Sequence, residues 1–266
     1  MERLVYCGGI GMIYRLTNTE TVLPLLGGWE ETLILSCLQG VMGAIYANDL
    51  RVPTAAMAIL GDFAFLSGEP SAELAAFKPE QCTQDFIIMV PQNEAWEKTI
   101  TGYYGSRAKV VSRYATKKEP NVFDRVKLER IVSELPKDYR ICPIDETIYN
   151  RCKSEKWSRD LVSQFPTYRE YSKLGLGFVI QKNRVIVSGA SSYSRYREGI
   201  EIEIDTKEAY RRKGLAYVCG AKLILECRRR NLYPSWDAQN KGSLALAEKL
   251  GYTYSHTYPA VEIRGY

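Results

Sequence analysis

Alternation of apolar and charged residues marks one strand in the second half of the chain. Across residues 200–205, isoleucine alternates with an acid at every step, so the isoleucines share one face and the acids share the other. From Leu215 to Cys227 an apolar residue recurs at every fourth position, which is typical of a helix with one buried side. The pattern predicts a strand, a tight turn over 210–214 and a long helix.

The same periodicities predict elements along the rest of the chain. In the first half they indicate helices at 20–38 (interrupted at Pro24), 71–77, 93–104 and 124–135, and strands at 43–48, 55–66, 86–90 and 109–116. In the second half they indicate strands at 139–143, 177–181, 184–190, 200–205 and around 236, helices at 146–165, 167–174, 215–230 and 243–250, and a last strand from 252. A Lys182-Asn183 turn joins the hairpin strands, since Asn tolerates positive φ. Pro136 is a natural boundary between the two sets.

The turn before the long helix combines one glycine with three cations. Gly214 lets a ligand approach the backbone because it lacks a Cβ. The first N–H groups of a helix have no partner within it and suit phosphate. Arg211, Arg212 and Lys213 lie at the same end, where cations oppose the helix dipole unless a polyanion is bound. An ordinary connection with a solvated basic turn explains this run equally well, because one glycine turn is a weak signal.

Further motifs follow the turn in a fixed order. After Arg211-x-x-Gly214-x-Ala216 comes a strand containing Trp236 and ending at Asn240, and then a helix that closes with Lys-Leu-Gly-Tyr252. Together these resemble the GNAT superfamily of acyl-CoA-dependent N-acyltransferases. The resemblance is closest to the branch that includes the zwittermicin A resistance proteins, and it covers residues 137–266.

The resemblance implies a fold class and a cofactor site. It implies an α/β protein of the α+β type, with a GNAT-like mixed, largely antiparallel sheet flanked by helices. Acetyl-CoA is the implied co-substrate, with its pyrophosphate on the backbone N–H groups of 212–216. The pantetheine arm would pair with a strand edge, as an added strand would. The cofactor-binding residues expected on this basis are Ile204, Asp205, Thr206, Arg211, Arg212, Lys213, Gly214, Leu215, Ala216, Asn240 and Ser243.

Acyl transfer to an amine also needs a base, because an amine with a pKa of about 10.4 is mostly protonated at neutral pH. A carboxylate acting directly or through water can take the proton. The resemblance favours Glu203 on the alternating strand, with Glu201 second. The alternation alone is explained equally well by acids that face solvent on a half-buried strand.

A departure from the family pattern concerns the general acid. Many relatives use a tyrosine one turn before the end of the last helix, and this chain has Ala247 there. Tyr252 is a weak substitute and at least as good a candidate for a core aromatic. Asp237 is expected to form a structural pair. The single histidine, His256, argues against Ser-His-Asp or Cys-His catalysis.

The resemblance and the boundary divide the chain into two predicted domains. Residues 137–266 form the acyl-CoA-binding catalytic domain. Residues 1–130 form an N-terminal α/β domain whose order of strands and helices suggests a degenerate GNAT-like unit. No phosphate-binding turn is apparent in that first half, so it is not expected to bind the cofactor.

Charge and composition narrow the partners. Residues 1–130 carry 13 Lys and Arg against 15 Asp and Glu, a net of −2, and residues 131–266 carry 23 against 16, a net of +7, which gives the total of +5. The basic residues are scattered and no nucleic-acid motif appears, so nucleic acid is not an expected partner. No apolar run of about 18 residues is present, so no membrane span is expected.

Cysteine and histidine usage predicts location and metal content. The seven cysteines include no Cys-x-x-Cys pair, so free thiols in a reducing cytoplasm and no metal site are expected. The first residues lack a basic region followed by an apolar one, so no signal peptide is expected.

The sequence therefore predicts an N-acetyltransferase that moves an acetyl group from acetyl-CoA to a primary amine, most simply of a small molecule. Two alternatives remain open. One is a GNAT-fold transferase with another acyl donor, such as an aminoacyl-tRNA. The other is a non-catalytic acyl-CoA-binding module, which Ala247 favours.

Overall fold

A computed structural model describes residues 4–5 and 12–266 of the chain. Its strands are β1 (Leu4–Val5), β2 (Ile13–Leu16), β3 (Ala44–Ala47), β4 (Ala55–Leu60), β5 (Phe63–Gly68), β6 (Phe86–Pro91), β7 (Ala108–Thr116), β8 (Tyr139–Pro143), β9 (Gly177–Lys182), β10 (Val185–Tyr196), β11 (Gly199–Thr206), β12 (Tyr233–Ser235), β13 (Asp237–Ala238) and β14 (Tyr254–Arg264). Its α-helices are α1 (Leu23–Leu26), α2 (Thr32–Leu38), α3 (Ala72–Ala76), α4 (Glu94–Tyr104), α5 (Arg125–Ser133), α6 (Glu146–Ser154), α7 (Tyr168–Leu174), α8 (Leu215–Arg229) and α9 (Lys241–Leu250). Short 3-10 helices lie at Glu20–Val22, Gly105–Arg107, Arg159–Leu161 and Glu208–Tyr210.

The chain forms two compact units. Unit 1 contains Met1–Arg113 and Thr257–Tyr266, and unit 2 contains Tyr114–His256. These units differ from the predicted domains 1–130 and 137–266, because α5 lies in unit 2 and the end of the chain lies in unit 1. The assignment of domains as functional parts stays a prediction.

Unit 1 is built on a meander. Strands β2 to β5 pair antiparallel in sequence order. After α3, β6 pairs in parallel with β5, and the end of β14 pairs antiparallel with β6, with Val261 opposite Met89. Met57, Trp96 and Ile263 are fully buried in the core of this unit. The side chain of Ser71 caps α3.

Unit 2 repeats this order of strands around a longer helix. Strands β8 to β11 pair antiparallel, and β12 pairs in parallel with β11 after α8. The apolar side of α8 and the isoleucine face of β11 share one core, to which α5 contributes Leu128 and Ile131. The mixed, largely antiparallel α/β fold class is therefore confirmed.

The two units share a topology that the sequence suggested. Each has a four-stranded antiparallel meander whose last strand pairs in parallel with the next strand after a helix. In unit 1 the helix is the five-residue α3, whereas in unit 2 it is the fifteen-residue α8. This similarity supports the interpretation of the first half as a degenerate GNAT-like unit, which stays a proposal.

Several predicted elements differ in extent. The predicted helix 146–165 is wrong beyond Ser154, because Glu155 adopts extended backbone and a 3-10 turn follows at Arg159–Leu161. The predicted strand 184–190 continues to Tyr196 as β10. The hairpin turn is confirmed, with φ values of 49° at Asn183 and 65° at Arg184.

The cysteines of the described residues form no disulfide. Six cysteines there are free thiols, while Cys7 lies outside the described residues. None of the helices in the described part of the chain combines the length and apolarity needed to cross a bilayer.

Candidate functional site

A left-handed turn leads into α8. Gly214 is the N-cap of this helix with a φ of 77°, and Arg212 is also left-handed with a φ of 61°. A Cβ added at Gly214 would meet no heavy atom within 4 Å. The glycine therefore adopts this left-handed conformation without steric cost, and the space in front of it is open to a ligand.

The first N–H groups of α8 lie beside this open space. Gly214 offers no side-chain cap, and the N–H that bonds back to its carbonyl is that of Val218, at 3.2 Å. The N–H groups of Leu215 and Ala216 come before that bond and have no carbonyl one turn earlier within the helix. Together with the positive end of the helix dipole, they form a surface that suits phosphate.

The structure brings the three predicted cations to the turn. Arg211, Arg212 and Lys213 are all exposed there. The Arg211 guanidinium faces the end of β11, where its Nε donates to the Thr206 carbonyl at 3.2 Å and its Nη2 lies 3.9 Å from Asp205 Oδ1. The Lys213 ammonium lies 4.8 Å from the centre of the Tyr210 ring.

Asp205 lies at the end of β11 next to these cations. Burial raises the pKa of its carboxyl, and the Thr206 N–H, which donates to Asp205 Oδ1 at 2.6 Å, together with Arg211 opposes that rise. The carboxylate therefore closes a local contact between strand and turn. Its predicted role beside the pantetheine arm depends on the backbone around it rather than on its charge.

The alternating strand has the two predicted faces. Ile200 and Ile202 are buried in the core of unit 2, and Ile204 packs against the same core. On the other face, Glu203 and Asp205 are half-buried, whereas Glu201 is only 6% exposed. Glu201 Oε1 accepts a hydrogen bond from the backbone N–H of Asp237 at 2.7 Å. The two candidate bases therefore differ in burial, and the carboxylate of Glu201 is held by a main-chain donor.

Beside this face, β12 leaves β11. The parallel ladder comprises three pairs and ends with Glu201 opposite Ser235. The next residues join a different ladder, in which Asp237 lies opposite Ala115 of β7. Within the described residues, the edge of β11 from Ile202 to Thr206 therefore has no partner in β12. We call this opening between β11 and the Trp236–Ala238 segment the slot.

The start of α9 lies next to the slot-forming segment. Asn240 caps α9 by accepting the Ser243 N–H at 2.9 Å. Ser243 Oγ in turn accepts a hydrogen bond from Trp236 Nε1 at 3.1 Å. These two of the predicted cofactor-binding residues are thus brought together. The Asn240 side chain caps α9, and the Ser243 hydroxyl accepts from the Trp236 indole.

The side chain of Tyr252 is buried, and its hydroxyl is hydrogen-bonded within the protein. It is 4% exposed, and its hydroxyl donates to the Pro234 carbonyl at 2.5 Å. Burial raises the pKa of Tyr252 well above its usual value of 10. Ala247, the position discussed for a general acid, is fully buried. The phenol is therefore engaged inside the core.

Some polar residues near the site have no local signal in the sequence. Thr116 Oγ1 donates to the Trp236 carbonyl at 2.7 Å, across 120 positions of the chain. Ser194 lies opposite Glu201 on β10 and is fully buried, and its hydroxyl has no hydrogen-bond partner among the described residues. The only available hint was the run of serines in β10, which a pattern of apolar residues does not interpret.

Other site types find little support in the described residues. A cavity of about 320 Å³ lies near the other end of α8, lined in part by Arg228, Phe123 and Glu198. Fifteen helical residues span roughly 22 Å, so this cavity is separate from the turn at Gly214. No cluster of three or more potential metal-ligating residues occurs in the described part of the chain.

Comparison with known proteins identifies relatives of the whole chain. It is 26% identical over 238 residues to the uncharacterized N-acetyltransferase YdfB of Bacillus subtilis (strain 168), which covers 83% of this chain and 86% of that protein. The crystal structure of a GCN5-related N-acetyltransferase-like protein from Streptococcus suis 89/1591 is 45% identical, with a TM-score of 0.88 over 93% of this chain and 98% of that one. A GCN5-related N-acetyltransferase from Kribbella flavida shares the fold at 16% identity and a TM-score of 0.52, over 87% and 91% of the two chains.

The family assignment rests on most of the chain. The model of the GNAT acetyltransferase family matches residues 23–261. This match includes both units, whereas the resemblance seen in the sequence was limited to the second half. Proteins of this family use acetyl-CoA as acyl donor. The chain belongs to the GNAT acetyltransferase family, and it is an enzyme of the N-acyltransferase type.

Proposed function

We propose that this protein transfers the acetyl group of acetyl-CoA to the primary amine of a small molecule, with the cofactor held in unit 2. One observation carries the proposal. The open N–H groups at the start of α8 and the open edge of β11 follow each other along the same strand–turn–helix segment. A phosphate group on the turn and an amide-containing arm along the edge fit this arrangement together.

The residues present fit the cofactor. The N–H groups from Arg212 to Ala216 would bind the pyrophosphate, with Arg212 and Lys213 as exposed countercharges. The main chain of Ile204, Asp205 and Thr206 would pair with the pantetheine amides. Asn240 and Ser243 would contact the arm from the α9 side of the slot. Bound there, acetyl-CoA supplies a thioester whose acetyl group is transferred.

Glu203 is the proposed general base. It lies two residues beyond the end of the β11–β12 ladder, on the half-buried acid face of β11. Its carboxylate would take one proton from the acceptor ammonium. The neutral nitrogen then forms the new bond to the acetyl carbon as the carbon–sulfur bond breaks, and the sulfur leaves with the electron pair. The nitrogen, which still carries one proton too many, gives that proton to solvent and becomes the neutral amide.

The leaving thiolate needs no phenol in this proposal. Tyr252 is 4% exposed and donates to Pro234, and Ala247 carries no acid. The leaving group is a thiolate, which is a weak base because the pKa of an ordinary thiol is about 8.5. It can therefore leave without receiving a proton from the protein. We therefore propose that solvent returns the proton to sulfur, and that Tyr252 belongs to the core.

We also propose the kind of acceptor, the branch of the family and the location of the protein. The acceptor is an amine of small size, and no nucleic acid or membrane partner is proposed. The branch is that of the zwittermicin A resistance proteins, on the order of motifs from Arg211 to Tyr252. The location is the cytoplasm, which the free thiols of the described cysteines suit.

The experiment is acetyl-CoA turnover with a panel of small amines. Free thiol release is followed for the full-length protein, and each mixture is analysed by mass spectrometry for an acetylated amine. The proposal predicts thiol release that depends on the amine and matches the acetylated product in amount. Binding of acetyl-CoA without any acetylated amine, or thiol release that is the same without an amine, would contradict it. Replacing acetyl-CoA with an aminoacyl-tRNA tests the alternative donor.

A further inference from the structure

The carboxylate of Glu201 lies where the slot begins. Glu201 and Ser235 are the last pair of the β11–β12 ladder. Two residues later, Asp237 pairs with β7 instead. If the parallel ladder continued, the Asp237 N–H would bond to a main-chain carbonyl of β11. It donates to the side chain of Glu201 instead, at 2.7 Å.

This hydrogen bond takes the place of a main-chain hydrogen bond between the two strands and spans a greater distance between them. A carboxylate on β11 reaches the Asp237 N–H from farther away than a main-chain carbonyl would, so the two strands diverge while the donor stays satisfied. Glu201 is only 6% exposed, and a buried carboxylate needs such donors to offset its lost hydration. The bond therefore offsets part of the cost of burying Glu201 and satisfies the Asp237 donor where the strands diverge.

The far side of the slot is fixed by other contacts. Thr116 Oγ1 donates to the Trp236 carbonyl at 2.7 Å, and Trp236 Nε1 donates to Ser243 Oγ at 3.1 Å. Trp236 itself is 3% exposed. These contacts fix the Trp236 segment, and the ladder with β10 fixes β11. The Glu201–Asp237 bond therefore sets the distance between the segment and β11 at the point where they diverge.

We infer that Glu201 is a positioning residue that sets the width of the slot for the pantetheine arm. The inference rests on the proposed placement of acetyl-CoA. It separates two neighbouring acids on one strand face, since Glu203 would act on the acceptor amine and Glu201 on the shape of the cofactor site. A substitution of Glu201 should therefore change CoA affinity through the length of the side chain and its hydrogen-bond acceptor. Loss of its charge alone should leave CoA affinity unchanged.

Calorimetric titration of CoA into the full-length protein tests the inference. In Glu201→Gln the amide oxygen keeps both length and acceptor, so CoA affinity should match that of the wild type. In Glu201→Asp the charge is kept but the side chain is one methylene shorter, so affinity should fall roughly tenfold or more, as expected for loss of a buried hydrogen bond to a carboxylate. Glu201→Ala should behave like Glu201→Asp, and Glu203→Ala is the matched control that leaves affinity unchanged.

Single-turnover rates at saturating acetyl-CoA provide a second readout. If Glu201 positions the slot, Glu201→Gln should keep the wild-type rate and pH profile. If Glu201 were the general base, the same substitution would lower the rate and change the pH profile. Tight binding by Glu201→Asp, or weak binding by Glu201→Gln, overturns the inference. If Glu201→Ala does not fold, the comparison of the Gln and Asp variants still decides. A wild-type protein that binds no CoA contradicts the proposed function itself, which is a different outcome.

Discussion

The hydroxyl of Tyr252 donates a hydrogen bond to the carbonyl oxygen of Pro234 at 2.5 Å. Around this bond, the ring packs edge-on against Trp236 and Phe123, with centroid separations of 5.5 Å and 4.9 Å. Burial raises the pKa of Tyr252 well above 10, so the phenol stays protonated and bonded at neutral pH. The residue links the segment after α9 to β12, and the enzyme is expected to work without a tyrosine acid.

Tyr252→Phe should therefore lower stability and leave chemistry intact. The substitution keeps the ring but leaves the Pro234 carbonyl without its donor, at a cost of about 1–3 kcal/mol. Denaturant unfolding measures this loss, and single-turnover acetylation measures the rate. A large drop in rate with unchanged stability would instead assign Tyr252 to proton transfer.

Glu226 near the end of α8 should make stability depend on pH. Hydrogen bonds from Arg229 and Arg230 lower the pKa of this carboxyl to about 2. Because the folded pKa lies below the unfolded one, the stabilisation is full above the unfolded value and is lost as pH falls toward 2. Glu226→Gln should cost roughly 1–2 kcal/mol at pH 7, after allowance for solvent screening of the exposed arginines.

Unfolding free energies of Glu226→Gln and wild type at several pH values check this expectation. The difference between them should shrink as pH falls below about 4. Glu94→Gln is the control, since the Glu94–Lys98 pair is exposed and should contribute almost nothing. A difference that stays constant with pH would show that the charge of Glu226 is not responsible.

Glu203→Gln should slow acetyl transfer without weakening CoA binding. The amide keeps the shape of the side chain and loses its basicity, so the single-turnover rate near neutral pH should fall roughly a hundredfold or more. Raising the pH should recover part of the rate as more neutral amine becomes available. Single-turnover measurement is needed because slow product release would hide the change.

Glu208→Gln is the control for this experiment, because Glu208 is an exposed acid on the 3-10 helix after β11. It should keep the wild-type rate. If Glu203→Gln also keeps the wild-type rate and pH profile, β11 supplies no base through Glu203. Its carboxylate would then belong to an ordinary half-solvated strand face.

Local patterns predicted the elements around the proposed cofactor site well. The alternation of Ile200 and Ile202 with acids specifies which face of β11 is buried, since the side chains of a strand alternate. The run from Arg211 to Leu215 specifies a turn, because Gly214 adopts positive φ without steric cost. Both features depend only on residues a few positions apart, which is why the sequence alone reveals them.

The contacts that give the site its shape were not predictable in this way. Thr116 donates to the carbonyl of Trp236, and no local pattern specifies which distant residues meet in this way. For the same reason the predicted boundary at Pro136 separated α5 from its core, although Leu128 is fully buried there. The hydrogen bond from Asp237 to Glu201 likewise depends on where β12 leaves β11.

The central claim is that acetyl-CoA lies with its pyrophosphate on the turn before α8. Calorimetric titration of acetyl-CoA into full-length wild type, Gly214→Asn and Gly214→Asp tests it directly. Asn tolerates the left-handed conformation and can cap the helix, so Gly214→Asn should fold and weaken binding by blocking the N–H groups. Gly214→Asp adds a negative charge at the same place and should weaken binding severely. Unchanged affinity in a folded Gly214→Asp variant would contradict the claim.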